Sequence, residues 1–152
     1  MTGDWSSSGS PYGSAGPSGP RASFFTRLVA YFIDAVIVGV AGLVLGFVGG
    51  RLGSVLALFV GLGYFAYFEG SASGQTVGKR VMDIRVVDFA SGGAIGPGRA
   101  AVRYLMRIVS GFVCLLGYLW MLWDRERQTW HDKVANTVVV PTAAYPVAVW
   151  PG

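Results

Sequence analysis

Asp34 is the only charged side chain between Leu28 and Gly50, in a run that is otherwise apolar. A carboxylate carried to the centre of a bilayer costs about 2.5–3.5 kcal/mol, so it must be paired, protonated or put to use. Arg27 stands seven residues earlier, on the same helix face and about 10.5 Å away along the axis. Counted from Phe24, Asp34 falls about 15 Å along the helix, near the middle of a hydrocarbon core about 30 Å thick. Arg27 is shallow enough to snorkel back to the interface as an anchor. Arg107, near the start of a later apolar run, is the expected partner for Asp34 across two parallel helices. Asp34, Arg27 and Arg107 thus form a candidate intramembrane site. A pair that fixes helix register is the plainer reading; ion or proton handling is the sharper one.

Two further stretches carry reactive residue types. GQTVGKR contributes Gly74, Gln75, Gly78, Lys79 and Arg80. Glycines before a lysine suggest a phosphate loop, but the GxxxxGK[ST] spacing is missing, which argues against nucleotide binding. Its basic residues suit anionic lipid headgroups better. His131 and Asp132 are adjacent, yet no motif links a nucleophile to them, so a structural turn is expected and catalysis is not. His131 is the single histidine and Cys114 the single cysteine. That pattern provides no disulfide and points to no metal site or cofactor.

Such residues need elements to position them. The 152-residue chain is 53% hydrophobic and only 13% charged, against about 25% charged in a soluble domain. Its net charge of +4 is spread over the ends of apolar runs, which fits a membrane protein rather than a nucleic-acid binder. Residues 1–22, rich in Ser, Gly and Pro with Trp5 and Tyr12, read as a disordered tether. A long polar stretch before the first apolar run, and a second run soon after, argue against a signal peptide. The runs at about 24–50, 52–68 and 104–123 are candidate spans, with a basic loop at 69–103 that belongs in the cytoplasm. Gly42, Gly46 and Gly50 in the first run, and Gly53, Ala57 and Gly61 in the second, form small-residue ridges suited to a tight antiparallel hairpin. Residues 141–152 are an apolar, proline-containing tail.

The expected fold is an all-α membrane protein of three transmembrane helices with a short β element at the membrane surface. One conflict remains within it. Val81–Asp88 and Thr137–Val140 both have strand composition, and pairing between them would require both on one side. The third apolar run would then be a re-entrant hairpin broken near Gly111 or Gly117, giving two spans plus that hairpin. Length favours three.

RLVAYFIDAVIV, GQTVGKRVMDIRVVD and RERQTWHDKVANTVVV, in that order between those apolar runs, resemble the RDD family of bacterial membrane proteins over about residues 22–140. Asp34 and Asp132 stand at the family's conspicuous aspartates. Asn136 replaces a glycine common before the last valine run, so a slightly different turn is expected. The resemblance implies an integral protein of the plasma (inner) membrane, with the lipid bilayer as its surroundings; for a multi-pass, three-span chain the basic loop at 69–103 then places the N-terminus in the cytoplasm. It also suggests transport of ions or small ligands, which a three-span chain would perform as a homo-oligomer. The rival expectation is a non-catalytic accessory subunit of a larger membrane complex.

Overall fold

The computed structural model describes residues 20–113 and 116–151. Trp5, Tyr12 and the tail to residue 19 lie outside the described residues, as does Cys114. Helix α1 (Phe24–Gly70) starts at an N-cap in which the Ser23 hydroxyl accepts from the Thr26 amide. It is interrupted at Gly50, with φ 56° and ψ −133°, a conformation open essentially to glycine. There the chain reverses. Gly42 faces Ala57, Gly46 faces Ser54, and a Cβ on Gly53 would stand 1.8 Å from the Leu45 carbonyl oxygen. Residues 24–49 and 51–70 are therefore the arms of an antiparallel hairpin, with Arg51 at its tip. Its outer surface is apolar and bare: Phe47 is 94% exposed and Val48 82%. Such a face requires lipid or another apolar partner.

Beyond the open end of the hairpin lies a folded cap. Helical turn α2 (Val77–Val81) leads into strand β1 (Ile84–Asp88). Helix α3 (Gly96–Phe112) packs back on the hairpin, with Tyr104 stacked on Phe65 at 5.3 Å. Then come α4 (Leu116–Leu119), a 3-10 turn (Trp120–Leu122), turn α5 (Trp130–Val134) and strand β2 (Thr137–Pro141). The strands pair antiparallel, with Val86 opposite Val139. Val86, Val87, Val138, Val139 and Val140 are buried on both faces of this ribbon.

Two segments of the cap are copies of one design. GQTVGKRVMDIRVV (74–87) and RQTWHDKVANTVVV (127–140) align residue for residue. Gly74 and Arg127 both have positive φ, and so do Asp83 and Asn136. Thr76 and Thr129 both cap a five-residue helical turn. The Gln75 amide donates to the Ile84 carbonyl at 3.0 Å, and the Gln128 amide to Thr137 at 2.8 Å. Because equivalent valines face each other in the ribbon, the copies are related by a local two-fold axis. Asn136 takes up the left-handed turn that a glycine would, and asparagine tolerates that region.

The third apolar run differs from the expected 104–123 span. Its helix begins at Gly96 and ends at Phe112, and the following helical piece is bent from it by 112°. Gly117 lies against Ser110, where a Cβ would come within 2.2 Å of the hydroxyl oxygen. That close approach lies in the angle of the bend. The last residues are packed on the cap: Trp150 stacks on Phe68 at 5.4 Å and donates to the Gln75 carbonyl at 3.1 Å.

Candidate functional site

Two buried polar centres join the hairpin to the cap. In the first, Asp34 is fully buried. Its Oδ1 accepts from the Tyr64 hydroxyl at 2.8 Å and the Gly78 amide at 2.9 Å, and its Oδ2 from the Thr76 hydroxyl at 2.6 Å. Tyr64 comes from the opposite arm; Thr76 and Gly78 come from the start of α2. Gly78 is required there, because a Cβ would stand 2.1 Å from the Ala30 carbonyl oxygen. Asp34 therefore ties both arms to the cap through neutral donors.

Arg107, expected to partner Asp34, instead bonds Glu69 at 3.0 Å. Helix α3 packs beside the end of the second arm, with Tyr104 on Phe65, so the arginine one turn on meets the carboxylate there. Arg27, expected as an interface anchor, is tied down as well. It donates to Asp132 at 2.6 Å and to the Arg127 carbonyl at 3.0 Å. Asp34, Arg27 and Arg107 are thus distributed over two centres.

The second centre is a network of opposite charges. Glu69 Oε1 receives Lys79 at 2.6 Å and Arg107, while Oε2 receives Arg103 Nε at 2.9 Å. Arg103 also donates through Nη1 to Asp132 and to the Thr137 hydroxyl, bridging both carboxylates. Asp132 closes a capping box with Thr129, which fixes the carboxylate that faces the arginines. Burial alone would raise the Asp132 pKa, but Arg27 and Arg103 hold it well below the usual carboxylate range. Burial pushes His131 well below the usual imidazole range, and Arg107, Arg103 and Arg27 add to that against Asp132. His131 is therefore neutral at pH 7, and its 3.9 Å approach to Asp132 is a contact rather than an ion pair.

A cavity of about 140 Å³ opens on this network, lined by Arg27, Lys79, Arg103, Arg107, Tyr118 and His131, with Phe24, Leu28 and Met121 on its apolar side. Four cationic side chains meet two carboxylates, leaving a formal excess of two positive charges. Arg107 is also held by its packing on the Phe65 ring, 4.3 Å from the centroid.

Of the GQTVGKR residues, Gly74 makes the left-handed turn beside β1, Gly78 meets Asp34, Lys79 binds Glu69, and Arg80 lies 4.4 Å over Trp150. Sequence reasoning placed neither Glu69 nor Arg103 in the site. Glu69 looks like the border of a span, and Arg103 like one more basic loop residue. The available signal was the repeat: it aligns Lys79 with Asp132, so each copy aims one charged residue at the same arginine-rich space.

A model of the RDD family matches residues 21–136. The proline-rich antigen of Mycobacterium leprae is 42% identical over 77 residues, covering 51% of this chain and 30% of the relative. The proline-rich antigen homolog of Mycobacterium tuberculosis is 38% identical over 96 residues, covering 60% and 40% respectively. The chain thus spans well under half the length of these mycobacterial relatives. The uncharacterized protein YxaI of Bacillus subtilis is 24% identical over 147 residues, covering 78% of this chain and 96% of its own. No solved structure matches the chain at a significant level. With its model running from Arg21, through the Asp34 and Asp132 centres, to Asn136, the chain belongs to the RDD family.

Proposed function

We propose that this chain is a two-span protein of the plasma membrane that receives a small ligand in the charged pocket at the cytoplasmic base of its hairpin. The arms of about 26 and 20 residues are about 39 and 30 Å long, enough for a hydrocarbon core of about 30 Å. Apart from Arg51 at the tip, every Lys and Arg of the chain lies in the cap or where the hairpin meets it. That asymmetry supports a cytoplasmic cap. The paired strands on either side of α3 and α4 support a third apolar run that turns back rather than crosses.

The observation that carries the ligand reading is the cavity where four cations face two carboxylates. Handling of a small ligand there is the transport-related role. An ion route through Asp34 is less favoured, because both its oxygens are occupied by donors from three residues. The bare outer face of the hairpin favours a second reading, an accessory subunit in a larger complex; a stoichiometric protein partner retained in mild detergent would support it.

Single cysteines at positions 51 and 149, with Cys114 replaced, test the topology. An impermeant thiol reagent outside intact cells is expected to label position 51 and to spare position 149. Labelling of both from outside is the three-span result and overturns the two-span reading. Native mass spectrometry of the full chain is expected to show a bound small molecule that Leu28→Trp, which fills the pocket, removes. A wild-type chain with no such adduct sinks ligand handling.

A further inference from the structure

We infer that the pocket is an oxyanion site that takes a phosphate-type group, either free or as the headgroup of an anionic lipid. This deepens the ligand-handling reading and rests on it. Charge excess alone would attract any anion; the geometry of the spare donors narrows the class. Arg103 Nη2, Arg107 Nε and Nη1, and the Tyr118 hydroxyl are buried without hydrogen-bond partners. All three residues line the same cavity. Buried donors left unpaired cost stability, so such a group in a native fold calls for an explanation.

These donors are held in place. Arg103 is fixed by Glu69, Asp132 and Thr137, and Arg107 by Glu69 and the Phe65 ring. Their guanidinium planes therefore present free N–H groups from preset positions, the arrangement that suits oxygens clustered on one central atom. Neutral His131 adds no charge, but its unpaired Nδ1 offers another donor in one tautomer. At about 140 Å³ the cavity has room for several waters or one phosphate-sized group. Phe24, Leu28 and Met121 on its apolar side suit an acyl chain attached to that group.

Thermal unfolding of the full chain in neutral detergent tests this, with sodium phosphate compared against sodium chloride at matched ionic strength. A parallel series uses phosphatidylcholine vesicles with and without phosphatidylglycerol. The expected result is a saturable rise in Tm with phosphate, with anionic lipid, or with both. A response to phosphate identifies a free-anion site; a response to anionic lipid alone identifies a headgroup site. Tyr118→Phe touches none of the ion pairs and is expected to weaken that response about 5- to 10-fold, the loss of one hydrogen bond. Leu28→Trp should abolish it. Equal Tm in phosphate and chloride, together with equal Tm in both vesicles, overturns the proposal. So does an anionic-lipid effect unchanged in both variants, since exposed basic residues would then account for it. A co-purifying uncharged ligand would overturn this inference and leave ligand handling standing.

Discussion

At the residue scale, the molecule has separate solutions for its buried carboxylates. Glu69 is neutralised by three cations, so Glu69→Gln leaves Lys79 and Arg107 without a counter-charge and Arg103 with Asp132 alone. Breaking a buried pair from one side costs about 3–5 kcal/mol, and unfolding in mixed micelles should show a loss of that size. Asp34→Asn keeps an oxygen for Tyr64 and Gly78 but turns an amide toward the Thr76 hydroxyl, which already accepts from the Lys79 backbone amide. The expected loss is smaller, about 1–3 kcal/mol. An Asp34→Asn loss equal to that of Glu69→Gln would show that Asp34 belongs to the charge network after all. The need of Asp34 for partners was legible, because a lone carboxylate in an apolar run must be paired or protonated. Its partners were not, since Tyr64, Thr76 and Gly78 are ordinary residues whose donors only folding brings together. Arg107 was the obvious partner by charge, and charge alone misassigned it.

At the element scale, the hairpin turn and α5 make separate predictions. Gly50 holds a conformation that a side chain strains by about 1–3 kcal/mol, so Gly50→Ala should lower stability by that amount. Gly39→Ala, with open space around its position, should not. The glycine ridges made the hairpin legible in the sequence, since small residues at that spacing allow backbones to approach. The bend after Phe112 was less so: the composition of 104–123 gives no sign of it, and the packing of Gly117 on Ser110 that accompanies it is seen only in the fold. In α5, His131 is surrounded by Asp132 on its own turn, Arg27 of α1, Arg103 and Arg107 of α3, and Tyr118 of α4. Its folded pKa lies below the unfolded value of about 6.5, so its contribution is fully present above that pH. Below it, the unfolded chain takes up a proton that the folded chain refuses, and stability falls. Between pH 7 and pH 5 the wild type should lose about 2 kcal/mol more than His131→Phe. Parallel pH profiles for the two proteins would refute the depressed imidazole.

At the scale of the whole molecule, the two-fold design of the cap explains why the charged centre is where it is. Each copy contributes a helical turn and a strand, and with the ribbon between them Lys79 meets Glu69 while Asp132 meets Arg103, which itself joins the two carboxylates. The repeat was present in the sequence, but the copies share few identical residues. Their likeness lies in backbone signs at 74, 83, 127 and 136 that composition does not report. The consequence is a molecule stitched across its middle. Arg103 to Glu69, Arg27 to Asp132, Arg21 to Glu126 and the whole β1–β2 ladder all connect residues before Ser91 to residues after it. Ser91 itself sits in an exposed turn, where a cut removes little besides chain connectivity. Fragments ending at Ser91 and beginning at Gly92, produced together, should therefore assemble in the membrane and purify as a one-to-one pair. Arg103→Ala in the second fragment removes the bridge between Glu69 and Asp132, and should separate the pair in detergent. Arg125→Ala, which takes no part in these bonds, should not. Fragments that never associate would mean that the hairpin and the third apolar run fold as independent units, with the cap formed only through the covalent link at its turn.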